Sequence, residues 1–115
     1  MKHEDYILLS KNSVFIDKRA KIGKNAIIYE NNRIDGESII GDNVTIFPNS
    51  FIANTIIGKG SKIYSSVIEN SKIGDRCIVL PFVYLKRSSV DSGVIVPAFS
   101  EVKQKKITKD SFKKL

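Results

Sequence analysis

The sequence predicts an all-β chain wound as a single-stranded parallel β-helix of between five and six triangular coils. Three observations lead there. An aliphatic residue returns every five or six positions from Ile16 to Ile107, making seventeen repeats. The residue two places earlier is small or β-branched in fifteen of them, with only Asn32 and Lys105 breaking the rule. The residues just after the aliphatic positions fall into three columns of different chemistry when every third repeat is compared.

Taken in order, residues 1–13 read as an N-terminal cap. MKHEDYILLSKN has one short apolar run, Tyr6 to Leu9, with acidic residues before it. Residues 14–107 carry the repeats: Ile16, Ile22, Ile28, Ile34, Ile40, Ile46 and so on to Val96, Val102 and Ile107. An α-helix would bring apolar side chains back at i+3 and i+4, and a flat sheet would need period two throughout. A strand of about three residues followed by a tight turn fits instead, because the aliphatic residue and its small predecessor then point inward and the residue between them points out. The turn segments Gly23-Lys24-Asn25, Asp35-Gly36-Glu37, Gly41-Asp42-Asn43, Gly58-Lys59-Gly60 and Gly74-Asp75-Arg76 supply Gly, Asn and Asp, which tolerate positive φ. Three such strands make one coil, and coils stack at roughly 4.8 Å. Residues 108–115 read as a basic C-terminal tail that covers the open strand edge and discourages end-to-end stacking.

The three columns test this reading, since nothing in a six-residue repeat demands them. One edge reads Gly23, Gly41, Gly58, Gly74, Asp91; the next reads Tyr29, Phe47, Tyr64, Leu80, Pro97; the third reads Asp17, Asp35, Ala53, Glu69, Lys86, Lys103. Glycine, aromatic and charged residues each keep to their own edge. Lys86 and Lys103 thereby fall on adjacent coils, where two ammonium groups at about 5 Å repel by roughly 1 kcal/mol in water. An anion between them would relieve this. In the plain alternative, Glu69 neutralises Lys86 from one coil below and Lys103 points to solvent.

Composition bounds the function. The 115 residues, 42% hydrophobic and 27% charged, make one small domain. The net charge of +7 is concentrated late: residues 1–83 carry eleven basic and nine acidic side chains, residues 84–115 eight and three. One cysteine, Cys77, and one histidine, His3, leave no Cys/His metal cluster, no internal disulfide and little scope for a buried catalytic His. Cys77 falls at a small inward position and reads as a structural thiol. No leader or membrane-spanning stretch is seen, so the expectation is a cytoplasmic protein without a membrane partner. The lysine-rich end has one aromatic and no recognition motif, so no nucleic-acid partner is expected. The outward residues Phe15, Phe51, Val67 and Tyr84 share one face and are too apolar to meet water as a group, which points to a subunit interface.

The repeats resemble the hexapeptide-repeat, left-handed parallel β-helix family of acyltransferases and sugar nucleotidyltransferase tails. The left hand comes from that resemblance, against the general preference for right-handed crossovers. Within the family, residues 14–107 resemble the acetyltransferase half of the bifunctional N-acetylglucosamine-1-phosphate uridylyltransferases and glucosamine-1-phosphate acetyltransferases. Pro81-Phe82-Val83-Tyr84-Leu85-Lys86 is similar to that family's Pro-Phe-x-x-Leu-Arg, and Phe99-Ser100-Glu101-Val102-Lys103 to its Phe-Val-Glu-[Val/Met/Ile]-Lys. The resemblance implies sugar-phosphate binding by Lys86 and Lys103, with Glu101 between them in the motif and with Arg87 standing where the family has Pro. Lys in place of Arg at position 86 loses the bidentate fork. The resemblance also implies a homotrimer. Its catalytic His and Tyr have no counterpart after Lys103, and neither does the nucleotide-binding half. The expectation is therefore a shortened relative without catalytic residues or cofactor, binding a sugar phosphate weakly at most. Two alternatives stay open: an acetyltransferase using acetyl-CoA and completed by a partner chain, and a structural module for a full-length nucleotidyltransferase.

Overall fold

The computed structural model describes residues 5–112; His3, Lys113 and Lys114, to which the sequence reading gave places in the cap and tail, lie outside them. The chain has no helix among the described residues and eighteen short strands. These begin with β1 (Ile7–Leu8), β2 (Phe15–Ile16), β3 (Lys21–Ile22), β4 (Ile27–Ile28), β5 (Arg33–Asp35) and β6 (Ile39–Ile40). They continue with β7 (Thr45–Ile46), β8 (Phe51–Ala53), β9 (Ile56–Ile57), β10 (Lys62–Ile63), β11 (Val67–Glu69) and β12 (Lys72–Ile73). The last six are β13 (Ile78–Val79), β14 (Tyr84–Lys86), β15 (Ser89–Val90), β16 (Ile95–Val96), β17 (Glu101–Lys103) and β18 (Lys106–Ile107). Every third strand pairs in parallel, giving three six-stranded sheets: β1-β4-β7-β10-β13-β16 (sheet I), β2-β5-β8-β11-β14-β17 (sheet II) and β3-β6-β9-β12-β15-β18 (sheet III). The result is a left-handed β-helix of about six turns, a prism of 49 × 20 × 20 Å.

The inward aliphatic residues form the core. From Ile28 to Ile107 each is buried, and most are completely so. A β-branched side chain suits this place because it packs directly on its copy one coil away, and each such burial is worth roughly 1.5–3 kcal/mol. The prism begins earlier than the repeats alone indicated. Ile7 and Leu8 of β1, inside the segment expected to be a cap, already pair with Ile27 and Ile28. Tyr6 and Leu8 pack on the core there, and Phe112 does so among the residues expected as tail.

The positions two before the aliphatics do more than fill small spaces. Ser38 Oγ accepts from the Thr55 N–H (3.1 Å), Thr55 Oγ1 from Ser71 N–H (3.3 Å), Ser71 Oγ from Ser88 N–H (3.1 Å) and Ser88 Oγ from Lys105 N–H (3.3 Å). Each hydroxyl thus accepts the inward N–H that the turn leaves without a strand partner, and buried N–H groups need such acceptors. Asn32, a break in the small-residue rule, is buried and bridges more: its amide donates to the carbonyls of Tyr29 (2.9 Å) and Ile46 (3.2 Å) and accepts from Ser50 N–H (2.7 Å). Lys105, the other break, is exposed.

Among the described residues fifteen have positive φ, five at each corner. Between sheets I and II they are Asn31, Asn49, Ser65, Phe82 and Phe99; between II and III, Gly36, Asn54, Asn70, Arg87 and Gln104. Between III and I they are Asn25, Asn43, Gly60, Arg76 and Gly93. Each turn segment singled out in the sequence carries one positive φ, but where the segment begins with Gly23, Gly41, Gly58 or Gly74 it falls two residues after that glycine. These four are glycines because the next coil runs beneath them. A Cβ on Gly74 would lie 2.6 Å from the backbone N and 2.8 Å from the Cα of Ser92.

Candidate functional site

The charged column lies on sheet II, whose strands β5, β8, β11, β14 and β17 have three residues rather than two. In a three-residue strand the middle side chain is buried and the first and third share the outer face. Lys86 pairs in register with Lys103, and Glu69 with Lys86, so the two lysines occupy adjacent coils on one edge as the repeat count required. Glu101 and Lys103 flank the buried Val102, and their charged groups meet at 3.3 Å. The Lys103 ammonium also lies 5.9 Å from the centre of the Tyr84 ring. Among the described residues, Glu69 forms no ion pair with Lys86; its carboxylate accepts from the Tyr84 hydroxyl at 3.1 Å. Burial, and then the Glu69 carboxylate, push the Tyr84 phenol above its ordinary value, so it stays a donor. Lys86 is half-buried, and its ammonium has no ion-pair partner among the described residues. The face thus offers one uncompensated cation, a second cation shared with a carboxylate, and an aromatic ring in the column beside them.

Arg87 does not join this group. It occupies the corner just past the strand, with φ of 51°, and lines a groove of about 670 Å³ on the side toward sheet III, together with Lys72 and Lys105. The structure therefore places Lys86, Glu101 and Lys103 on one face and Arg87 in a separate recess. Sequence reasoning assigned no role to Lys72 and read Lys105 as part of a solvated, lysine-rich end. The available signal was Lys105 itself, a long cation in a column of hydroxyls.

The remaining features are structural. Cys77 is fully buried, its Sγ donates to the Asp91 carbonyl at 3.0 Å, and burial pushes the thiol up. The aromatic column stacks along one corner, Tyr29 on Phe47 at 5.1 Å and Phe47 on Tyr64 at 4.2 Å, which stiffens the turns. It moves two residues along the chain at the last coils, where Phe82 and Phe99 sit exposed with centroids 5.4 Å apart. On the outer face of sheet II, Phe15, Phe51, Val67 and Tyr84 share one column, and the Arg33 guanidinium covers the Phe15 ring at 4.5 Å. No group of His, Cys, Asp and Glu able to hold a metal ion occurs among the described residues, and no helix is long and apolar enough to cross a membrane.

No protein-family model matches the chain. It is 35% identical over 101 residues to the bifunctional protein GlmU of Clostridium kluyveri, a match covering 87% of this chain and 22% of that protein. It is 38% identical over 105 residues to the bifunctional protein GlmU of Heliobacterium modesticaldum, covering 90% and 23%. The chain thus spans less than a quarter of the length of these relatives. Among solved structures it matches perosamine N-acetyltransferase from Caulobacter crescentus, determined with CoA and GDP-perosamine, with a TM-score of 0.60 at 14% identity, over 85% of this chain and 51% of that one. It also matches the acetyltransferase domain of PglB from Neisseria gonorrhoeae, determined with acetyl coenzyme A, with a TM-score of 0.56 at 14% identity, over 98% and 56%. At that identity the likeness is one of fold.

Proposed function

The chain is a hexapeptide-repeat, left-handed parallel β-helix similar over most of its length to bifunctional GlmU proteins; from that premise we propose that it binds a sugar phosphate weakly on sheet II and is inactive alone as an acetyltransferase. The single observation that supports the binding is the in-register pair of Lys86 and Lys103. Two like charges on adjacent coils favour a shared dianion, whose oxygens can take one hydrogen bond from each ammonium. Glu101 holds Lys103 in place at 3.3 Å and would accept from a sugar amine or hydroxyl. Because Glu101 also competes with phosphate for Lys103, and lysines give point contacts where arginines give forks, the affinity is low. Inactivity rests on chemistry: acetyl transfer to an amine needs a base for the ammonium proton and a donor for the thioester oxyanion. The described residues contain no histidine, and the two lysines and the Glu101–Lys103 pair are arranged to bind rather than to take a proton. Acetyl-CoA enters only if a partner chain supplies the missing groups.

Calorimetric titration with glucosamine-1-phosphate and N-acetylglucosamine-1-phosphate tests the site. The expected Kd is about millimolar, near 4 kcal/mol of binding, with no signal for Lys103→Ala. Equal heats for both proteins, or none for either, would remove the site, and consumption of acetyl-CoA by the purified chain would refute inactivity.

A second reading concerns assembly and rests on the apolar column of sheet II, where Phe15 is 45% and Val67 36% exposed. Packing three copies about this face, or docking it on a full-length nucleotidyltransferase, would bury that column.

A further inference from the structure

The corner between sheets II and III carries a recess with its own chemistry, and Lys86, Glu101 and Lys103 do not line it. Lys72, Arg87 and Lys105 line it from three successive coils, and no carboxylate is among its lining residues. At about 4.8 Å per coil, the backbones that carry the three cations are spread over about 10 Å along the prism axis. Asn70 and Gln104 add carboxamides and Ser89 a hydroxyl. Neither the three cationic groups nor these two carboxamides have a side-chain hydrogen bond or ion pair among the described residues.

The recess is built on fixed backbone. Asn70, Arg87 and Gln104 have nearly the same φ, 51°, 51° and 53°. The N–H of each donates to a carbonyl one coil earlier: Asn70 to Ala53 (2.9 Å), Arg87 to Glu69 (3.0 Å) and Gln104 to Lys86 (2.9 Å). Repeating one turn conformation on three coils repeats the side-chain direction, so donors line up along the groove without a carboxylate to neutralise them. Lys105 strengthens the pattern: the four preceding coils have Ser38, Thr55, Ser71 and Ser88 at its position, and a long cation replaces the hydroxyl at the last coil of the groove.

We propose that this groove binds a condensed phosphate chain of two or three phosphoryl groups, either inorganic or as the tail of a nucleotide. A single phosphate draws cations rooted over about 10 Å together against their mutual repulsion, whereas a chain of phosphoryl groups places an anionic group opposite each coil. Arg87 at the centre supplies the forked contact to two phosphate oxygens, Lys72 and Lys105 supply point charges at either end, and the carboxamide N–H groups face the remaining oxygens. The proposal stands independently of the sugar-phosphate reading, because the two sites share no side chain.

Amide chemical shifts of the labelled protein, followed during titration with tripolyphosphate, orthophosphate and ATP at 0.1 M salt, provide the test. Expected are saturable shifts at Asn70, Ser89, Gln104 and Lys105 with tripolyphosphate, and weaker binding of orthophosphate. Arg87→Asn keeps the corner conformation that Asn54 and Asn70 adopt, and should weaken tripolyphosphate about tenfold, with Lys105→Ala weakening it about threefold. Lys103→Ala should leave it unchanged. ATP binding as tightly as tripolyphosphate assigns the groove to the phosphate chain alone, and tighter binding assigns it to a nucleotide. Unsaturable shifts spread over every lysine, orthophosphate matching tripolyphosphate, or wild-type affinity in Arg87→Asn and Lys105→Ala would overturn the proposal. So would loss of binding in Lys103→Ala alone.

Discussion

Asn32 occupies a place that other coils give to Ser or Val, and its three hydrogen bonds explain the exception. The amide joins the Tyr29, Ile46 and Ser50 backbones across the corner between sheets I and II. Asn32→Ala leaves the Tyr29 carbonyl and the buried Ser50 N–H without their partner, while the Ile46 carbonyl keeps the Tyr29 N–H at 2.9 Å, so it should cost about 1–3 kcal/mol, read as a lower urea midpoint with unchanged slope. A change under 0.5 kcal/mol would mean that water replaces the amide at no cost. Phe99 makes the opposite case. It holds φ of 65° while 76% exposed, a conformation disfavoured by about 1 kcal/mol for a bulky residue, at a corner where earlier coils use Asn31 and Asn49. Phe99→Asn should therefore raise the thermal midpoint by a few degrees, unless the 5.4 Å contact with Phe82 outweighs the strain. Neither effect follows from hydrophobicity: Asn32 looks like a defect in the repeat, and Phe99 like an ordinary apolar residue.

At the scale of a coil, the parts repeat but do different work at each corner. The glycine column permits close stacking: the N–H groups of Lys24, Lys59 and Asp75 donate to Asp42 Oδ1 (2.9 Å), Asp75 Oδ1 (3.2 Å) and Ser92 Oγ (2.8 Å) of the following coil. Those side chains lie where a Cβ on the preceding glycine would fall. Gly74→Ala should destabilise by about 1–3 kcal/mol, because besides Ser92 Oγ it meets the Ser92 backbone N at 2.6 Å and Cα at 2.8 Å, which cannot swing aside. Gly93→Ala differs, since a Cβ there has open space around it and only its φ of 76° is unfavourable. Thermal melts of the two variants separate crowding from backbone preference, and equal losses would refute the distinction. The glycine column was legible in the sequence as a column. Its cause was not, because the partner atoms stand a full coil away along the chain.

For the whole molecule, the apolar side of sheet II sets the next question. On the proposed assembly, sedimentation equilibrium should give about three times the chain mass for the wild type and the single-chain mass for Val67→Asp, whose new charge would be buried between copies. A single-chain mass for the wild type would overturn that assembly. The inward pattern from Ile16 to Ile107, the three-sided coil and the register of Lys86 with Lys103 were all decided by the sequence itself. They depend on spacing along the chain, and a miscount by one would turn a strand inside out. The tertiary structure alone decided that β1 joins sheet I, that serine hydroxyls close the gaps between coils, and that Arg87 turns away from Lys86 into a groove with Lys72 and Lys105. These features depend on the positive φ at each corner and on atoms sixteen to eighteen residues away, which the spacing of apolar residues does not encode.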